Sequence, residues 1–190
     1  MKIIVTGGTG FIGQVLVGEL AGQGHDVVVL SRKASRSPRS SVRLVEWDAR
    51  STGPWQSEVA SADAVVNLAG APIAERRWTE SRKELLLNSR ILATRLLVDA
   101  SARRSTTLPI LVSASGIGYY GASDDRLLDE RSSLGEGFLA NLSAAWEAEA
   151  LRAGQFGTRV VLLRTGMVLE QGGGALPKML LPFRLFAGGP

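Results

Sequence analysis

The stretch Val5-Thr6-Gly7-Gly8-Thr9-Gly10-Phe11-Ile12-Gly13 constrains this chain more than any other, because it joins an apolar run to an amphipathic one through three glycines spaced three apart. Residues 2–5 are short, β-branched and apolar, which predicts a strand. Phe11, Ile12, Val15, Leu16 and Leu20 recur at helical spacing, and Gly22 and Gly24 end that run. In this setting Gly7 permits a tight turn, Gly10 lets a pyrophosphate approach the main chain, and Gly13 lets helix and strand pack closely. The helix N-terminus offers free N–H groups and a positive dipole to an anion. Gly7, Thr9, Gly10, Phe11, Ile12 and Gly13 are therefore candidate cofactor-binding residues. The glycine spacing alone also describes a structural turn, but its strand-turn-helix context favours nucleotide binding.

Residues 26–30 form a continuous β-branched run, expected as a strand buried on both faces, which completes a βαβ unit. At its far end, where an NAD site would carry an acid for the ribose hydroxyls, stand Ser31 and Arg32. An acid there repels a 2′-phosphate, whereas a hydroxyl and a guanidinium bind one, so NADP is the expected cofactor. Arg32, Lys33, Arg36, Arg39 and Arg43 cluster here without interleaved aromatics. With a net charge of +4 from 22 basic and 18 acidic residues, nucleic acid must be weighed. The local clustering fits a phosphate site, and in part an ordinary solvated loop, better than a nucleic-acid stripe.

A chain of 190 residues with 45% apolar content buries one real core, so one main domain is expected. There is no cysteine and the single histidine, His25, lies at a turn, so neither disulfides nor a zinc or histidine-triad mechanism has material and no metal is expected. No segment resembles a signal peptide or a spanning helix, and a soluble, cytoplasmic protein without membrane contact is expected.

Further along, residues 42–47 alternate as a strand closed by Asp48, which is suited either to an adenine amino group or to a strand-end turn. Residues 54–60 allow a brief helix. Residues 64–68 read as a buried strand leading into Leu68, Ala69 and Gly70, small enough at the end for a cofactor to lie alongside. Thr79 is an expected N-cap for a long helix striped by Leu85, Leu86, Ile91, Leu92, Leu96 and Leu97. Arg76 and Arg77 precede it, as anion ligands or as exposed partners of Glu75 and Glu80. Residues 110–113 read as a strand running into Ser113-Ala114-Ser115-Gly116-Ile117-Gly118-Tyr119-Tyr120-Gly121, whose hydroxyls should face the same crevice as the glycine turn. Residues 124–136 read as a loop, 138–153 as a helix and 159–163 as a strand. The pattern predicts an α/β fold, a Rossmann-type doubly wound parallel sheet flanked by helices, over residues 1–164. Residues 165–190 change in character, with a Gly172-Gly173-Gly174 run and an apolar stretch, and read as the truncated start of a substrate-side region.

Taken together, residues 6–13, Ser31-Arg32, residues 67–73, Arg77-Trp78-Thr79, residues 113–121, Trp146-Glu147 and residues 163–166 with 172–183 resemble the extended and atypical short-chain dehydrogenase/reductase superfamily. The resemblance is narrower to its epimerase-like branch of nucleotide-sugar epimerase homologues and cell-division-inhibitor-like proteins. Members of that branch continue for about another hundred residues, which implies an N-terminal portion here. The superfamily's usual chemistry uses a Ser or Thr to orient the substrate, a Tyr as acid/base, and a Lys four residues on that lowers the phenol's pKa. The resemblance puts Ser115 at the serine position. The Tyr-x-x-x-Lys does not follow, since Phe138-Leu139-Ala140-Asn141-Leu142 occupies the expected helix start. Arg90 stands four residues before Thr94, where relatives carry Asn, and Asn88 is two residues out of register.

Ser115 and Tyr119 are thus the candidate catalytic residues, with Tyr119 or Tyr120 as the substitute acid helped by Arg77 or Arg164; the plainer alternative has both phenols packing the loop and Arg164 in a salt bridge. The first functional expectation is an NADP-dependent oxidoreductase or epimerase acting on a small polar molecule, with a nucleotide sugar implied by resemblance. The second is a non-catalytic NADP(H)-binding regulator, favoured by the missing Tyr-x-x-x-Lys. A homodimer formed by packing two helices from each copy is implied by the resemblance alone.

Overall fold

The computed structural model describes residues 1–33, 41–170 and 172–187. Arg36, Arg39 and the closing Gly188-Gly189-Pro190 lie outside the described residues. Six strands, β1 (Lys2–Thr6), β2 (Asp26–Ser31), β3 (Val42–Glu46), β4 (Ala64–Asn67), β5 (Ile110–Gly116) and β6 (Arg159–Thr165), form one sheet in the order β3-β2-β1-β4-β5-β6. Every neighbouring pair is parallel. This is the doubly wound arrangement expected from the sequence, and its order reverses between β1 and β4, where a crevice opens at the carboxyl edge.

Alternation along the strands sends side chains to two different cores. Ile3, Val5, Val27 and Val29 pack with Val17 of α1 (Phe11–Gly22) on one face. Ile4, Val28, Leu30, Val65 and Leu111 pack on the other face against α2 (Gln56–Ala60), α3 (Glu80–Ala102) and α4 (Phe138–Leu151). The near-continuous apolar runs of β1 and β2 follow from this two-sided burial. Thr79 caps α3 as expected, its hydroxyl accepting from the Arg82 amide at 3.3 Å.

β5 and its edge neighbour β6 are longer than their local patterns predict, while β4 ends one residue early, at Asn67. β5 runs three residues past Ser113 because β6 pairs with it throughout, from Ile110 opposite Arg159 to Gly116 opposite Thr165. This sets Ser115 directly beside Arg164. Beyond α4 the backbone tightens into a 3₁₀ turn, Arg152–Phe156, ended by Gly157 in the left-handed region, so the α-helix stops short of residue 153. After β6 comes a small hairpin of β7 (Leu169–Glu170) and β8 (Gly173–Gly174), followed by α5 (Leu176–Arg184).

One basic residue is displaced from the expected phosphate cluster. Arg43 is the second residue of β3, near the amino edge and opposite the crevice, because all the strands run parallel. Both its terminal nitrogens donate to Glu58 at 3.0 Å, and Lys2 pairs with the same carboxylate at 2.7 Å. Arg43 and then Lys2 hold the Glu58 carboxyl down to about 2.

Candidate functional site

The glycine turn sits at the carboxyl end of β1, beside the end of β2 on one side and of β4 on the other. Gly7 has φ +68°, and a Cβ there would stand 2.7 Å from the Leu68 carbonyl oxygen. A Cβ on Gly13 would come 2.2 Å from the Gly7 oxygen and 2.6 Å from Gly8 Cα. Gly13 therefore allows the helix to close onto the turn itself. Gly8, outside the three-apart spacing, is also confined, 2.8 Å from the Val29 side chain on the same measure. α1 starts from Gly10 with no side-chain cap and no acidic residue in its first turn, so its leading amides and dipole remain directed at the crevice. Thr9, Phe11 and Ile12 are exposed around this helix start. One side of the exposed Phe11 ring packs against the backbone of β8, since a Cβ on Gly173 would lie 2.5 Å from it.

Ser31 and Arg32 stand at the carboxyl end of β2, with no acid between them, and the Lys33 amide approaches the Ser31 hydroxyl at 3.4 Å. Asp48 is engaged locally: one of its oxygens accepts from the Arg50 and Ser51 amides at 2.8 and 2.9 Å, the other from the Ser51 hydroxyl at 2.7 Å. These bonds, Arg50's first, hold its carboxyl below the usual range, and the strand-end turn is the arrangement present. Arg76 and Arg77 are exposed, while the neighbouring acids bind elsewhere, Glu75 to Arg82 and Glu80 to Lys83.

At the carboxyl ends of β5 and β6 lies a second group of residues. Ser115, 5% exposed, donates its hydroxyl to Glu147 Oε1 at 2.5 Å. Arg164 grips the same carboxylate through Nε and Nη2, both at 2.8 Å, and donates through Nη1 to the Tyr120 phenol oxygen at 3.0 Å. Its Cζ lies 3.5 Å from the centre of the Tyr119 ring. Tyr119 and Tyr120 occupy a 3₁₀ turn, Ile117–Tyr120, to which the following loop is pinned where the Gly135 amide donates to the Tyr119 carbonyl at 3.0 Å. Burial works against ionisation of Glu147, but the bonds from Arg164 and Ser115 outweigh it and hold the carboxyl below the usual range. Arg164 is thus the salt-bridge partner of Glu147, and Ser115 and Tyr119 meet through it rather than directly.

No local pattern in the sequence assigns Glu147 a role. Its signal was its spacing, for it shares the buried side of α4 with Ala140, Ser143 and Ala150. A second buried chain of hydrogen bonds likewise has no local signal in the sequence. The Thr6 hydroxyl donates to Asn67 Oδ1 at 2.7 Å, and Asn67 Nδ2 donates to the Thr94 hydroxyl at 2.8 Å. Thr94 also accepts from Trp146 Nε1 at 3.0 Å. The residue before the glycine turn is thereby linked through β4 and α3 to α4. Replacing Thr94 with Val strands two buried donors, so Thr94→Val should destabilise the fold by about 2 kcal/mol in denaturant unfolding. An unchanged midpoint would show that water or a shifted side chain takes over both bonds.

A parallel α/β sheet in this order, with a glycine cradle at its reversal point, defines a dinucleotide-fold protein in architecture. The chain belongs to the NAD-dependent epimerase/dehydratase family, whose model matches residues 3–179. It is 40% identical over 190 residues to the epimerase family protein YfhF of Bacillus subtilis, covering 100% of this chain and 62% of that one. The structure of human epimerase family protein SDR39U1 with NADPH is similar at TM-score 0.82 and 42% identity, covering 100% of this chain and 62% of the human one. A nucleoside-diphosphate sugar epimerase from Corynebacterium glutamicum is similar at TM-score 0.81 and 33% identity, with coverages of 100% and 38%. The chain therefore spans under two thirds of the length of these relatives. No helix among the described residues is long and apolar enough to cross a membrane.

Proposed function

We propose that this protein is an NADP-dependent oxidoreductase or epimerase-like enzyme acting on a small polar substrate, with a nucleotide sugar as the substrate class. The observation that carries the reading is the cradle of Gly7, Gly10 and Gly13 under an uncapped helix start, with Ser31 and Arg32 at the adjoining strand end. Gly7, Thr9, Gly10, Phe11, Ile12 and Gly13 would receive the pyrophosphate, Ser31 and Arg32 the 2′-phosphate. Leu68, Ala69 and Gly70 would flank the rest of the dinucleotide. When bound, that group supplies a hydride acceptor or donor. Residues 1–164 form the binding unit in this reading, and 165–190 begin the substrate side. Exposed Leu85 and Leu92 on α3 and Leu151 on α4 support association of two copies through these helices.

Ser115 and Tyr119 are the proposed catalytic residues. The Ser115 proton is directed at an ionised carboxylate, which leaves lone pairs of its oxygen for a substrate hydroxyl. In this reading one of the two phenols of the 3₁₀ turn, Tyr119 or Tyr120, exchanges the proton with the substrate. If Tyr119→Phe and Tyr120→Phe each leave turnover of a screened substrate unchanged, neither phenol has that role.

Calorimetry should show NADPH binding at least about tenfold tighter than NADH, about 1.4 kcal/mol. Arg32→Glu should abolish that preference, because it places a carboxylate where the 2′-phosphate would lie. Tighter binding of NADH by the wild-type protein would overturn the assignment. One observation favours a second reading, a non-catalytic NADP(H)-binding regulator: Glu147 already occupies Ser115 and Arg164, and α4 carries Phe138 and Leu142 in place of phenol and ammonium. Stoichiometric NADPH binding without oxidation across a broad carbonyl and enone panel would decide for it.

A further inference from the structure

Arg90, on α3, is 6% exposed. Its Nη1 donates to the Leu86 carbonyl at 3.0 Å and its Nη2 to the Ala71 carbonyl at 3.1 Å. The guanidinium lies 5.1 Å from the Trp146 ring centre. Gly70 admits it, for a Cβ on that residue would stand 2.9 Å from Arg90 Cζ. Yet no ion pair among the described residues reaches Arg90, and its Nε has no hydrogen-bond partner.

A buried cation without a counter-ion is costly to keep. Burial, and then the like charge of Arg82, bring Arg90 down to about 10, which leaves it cationic at neutral pH. Arg164 differs, since that guanidinium at the same edge is neutralised by Glu147. Arg90's charge lies instead against the back of Gly70, in the segment whose Leu68 and Ala69 backbone closes on Gly7.

We propose that Arg90 is a positioning residue for an anionic dinucleotide: its uncompensated charge behind Gly70 attracts the phosphates to the crevice and holds residues 68–71 in the shape that receives them. This rests on the reading of the crevice as a dinucleotide site. Its test is calorimetric titration of wild type, Arg90→Lys and Arg90→Gln with NADPH at low and high salt, together with unfolding of each protein without ligand. Arg90→Gln should lose about tenfold or more in affinity and show a weaker salt dependence, while its ligand-free unfolding temperature holds or rises. Arg90→Lys should lose clearly less than Arg90→Gln, because it retains the charge though not the fork to the Leu86 and Ala71 carbonyls.

Equal losses in both variants, wild-type affinity in Arg90→Gln, or a lowered ligand-free unfolding temperature in that variant would each overturn the proposal. So would an Arg90→Gln protein that does not fold, which would mark the arginine as purely structural. Wild-type protein that binds no NADPH would remove the dinucleotide reading itself and this inference with it. Wild-type binding with an indifferent Arg90→Gln removes the inference alone.

Discussion

Gly13→Ala should lower NADPH affinity by about 100-fold or more, equivalent to about 2.7 kcal/mol, and destabilise the protein by about 3 kcal/mol. Helix propensity alone predicts the opposite sign, for alanine inside a helix is favoured over glycine by about 1 kcal/mol. Here the added Cβ meets Gly7 oxygen at 2.2 Å, Gly8 Cα at 2.6 Å and Gly7 carbonyl carbon at 2.9 Å. All three are main-chain atoms of the turn, so no side-chain rotation relieves the overlap. α1 must lift away or the turn must open, and either displaces the amides aimed at the crevice. Gly22, at the other end of α1, is the control, since a Cβ there would meet nothing within 4 Å. Gly22→Ala should leave binding unchanged and stabilise by up to about 1 kcal/mol. Equal NADPH titrations for wild type and Gly13→Ala would show that the cradle does not receive the dinucleotide.

Glu147→Ala should cost about 3–5 kcal/mol, because it leaves a largely buried guanidinium without its counter-charge. The side chains of Arg164 and Glu147 are only 17% and 6% exposed, so solvent screens the pair little. The substitution also frees the Ser115 hydroxyl and loosens Arg164 from Tyr119 and Tyr120, so activity should fall along with stability. The pH dependence has a definite sign. The Glu147 carboxyl is held below its ordinary range in the folded protein, so its stabilising contribution is full above that range and is lost as pH falls through the lowered value. The stability gap between wild type and Glu147→Ala, measured by denaturant unfolding, should be constant near neutral pH and shrink below about pH 4. A gap independent of pH would mean that packing, not charge, is what Glu147 contributes.

The elements that were legible in the sequence are those specified by neighbours along the chain. The glycine spacing after a β-branched run located β1, the turn and α1, and Thr79 marked the start of α3, because a cap is satisfied within a few residues. Where partners come from afar, the local signal faded. β5 ends at Gly116 rather than Ser113 only because β6 pairs with it to the last residue. Arg43 looked like part of a basic cluster, yet its strand begins at the sheet's opposite edge and Glu58 claims it.

By itself the sequence determined the alternation of strands and helices, the glycine cradle, and the absence of an acid after β2, since periodicity, turn chemistry and residue type carry these. Only the tertiary structure decided that Ser115 donates its hydrogen bond to Glu147, that Arg164 bridges that carboxylate to the two tyrosines, and that Arg90 is buried without a counter-ion among the described residues. Ser115 and Glu147 are 32 residues apart, and Asn67 and Thr94 27 apart. Pairings at such separations depend on how helices pack across a sheet, which no local pattern of residues encodes.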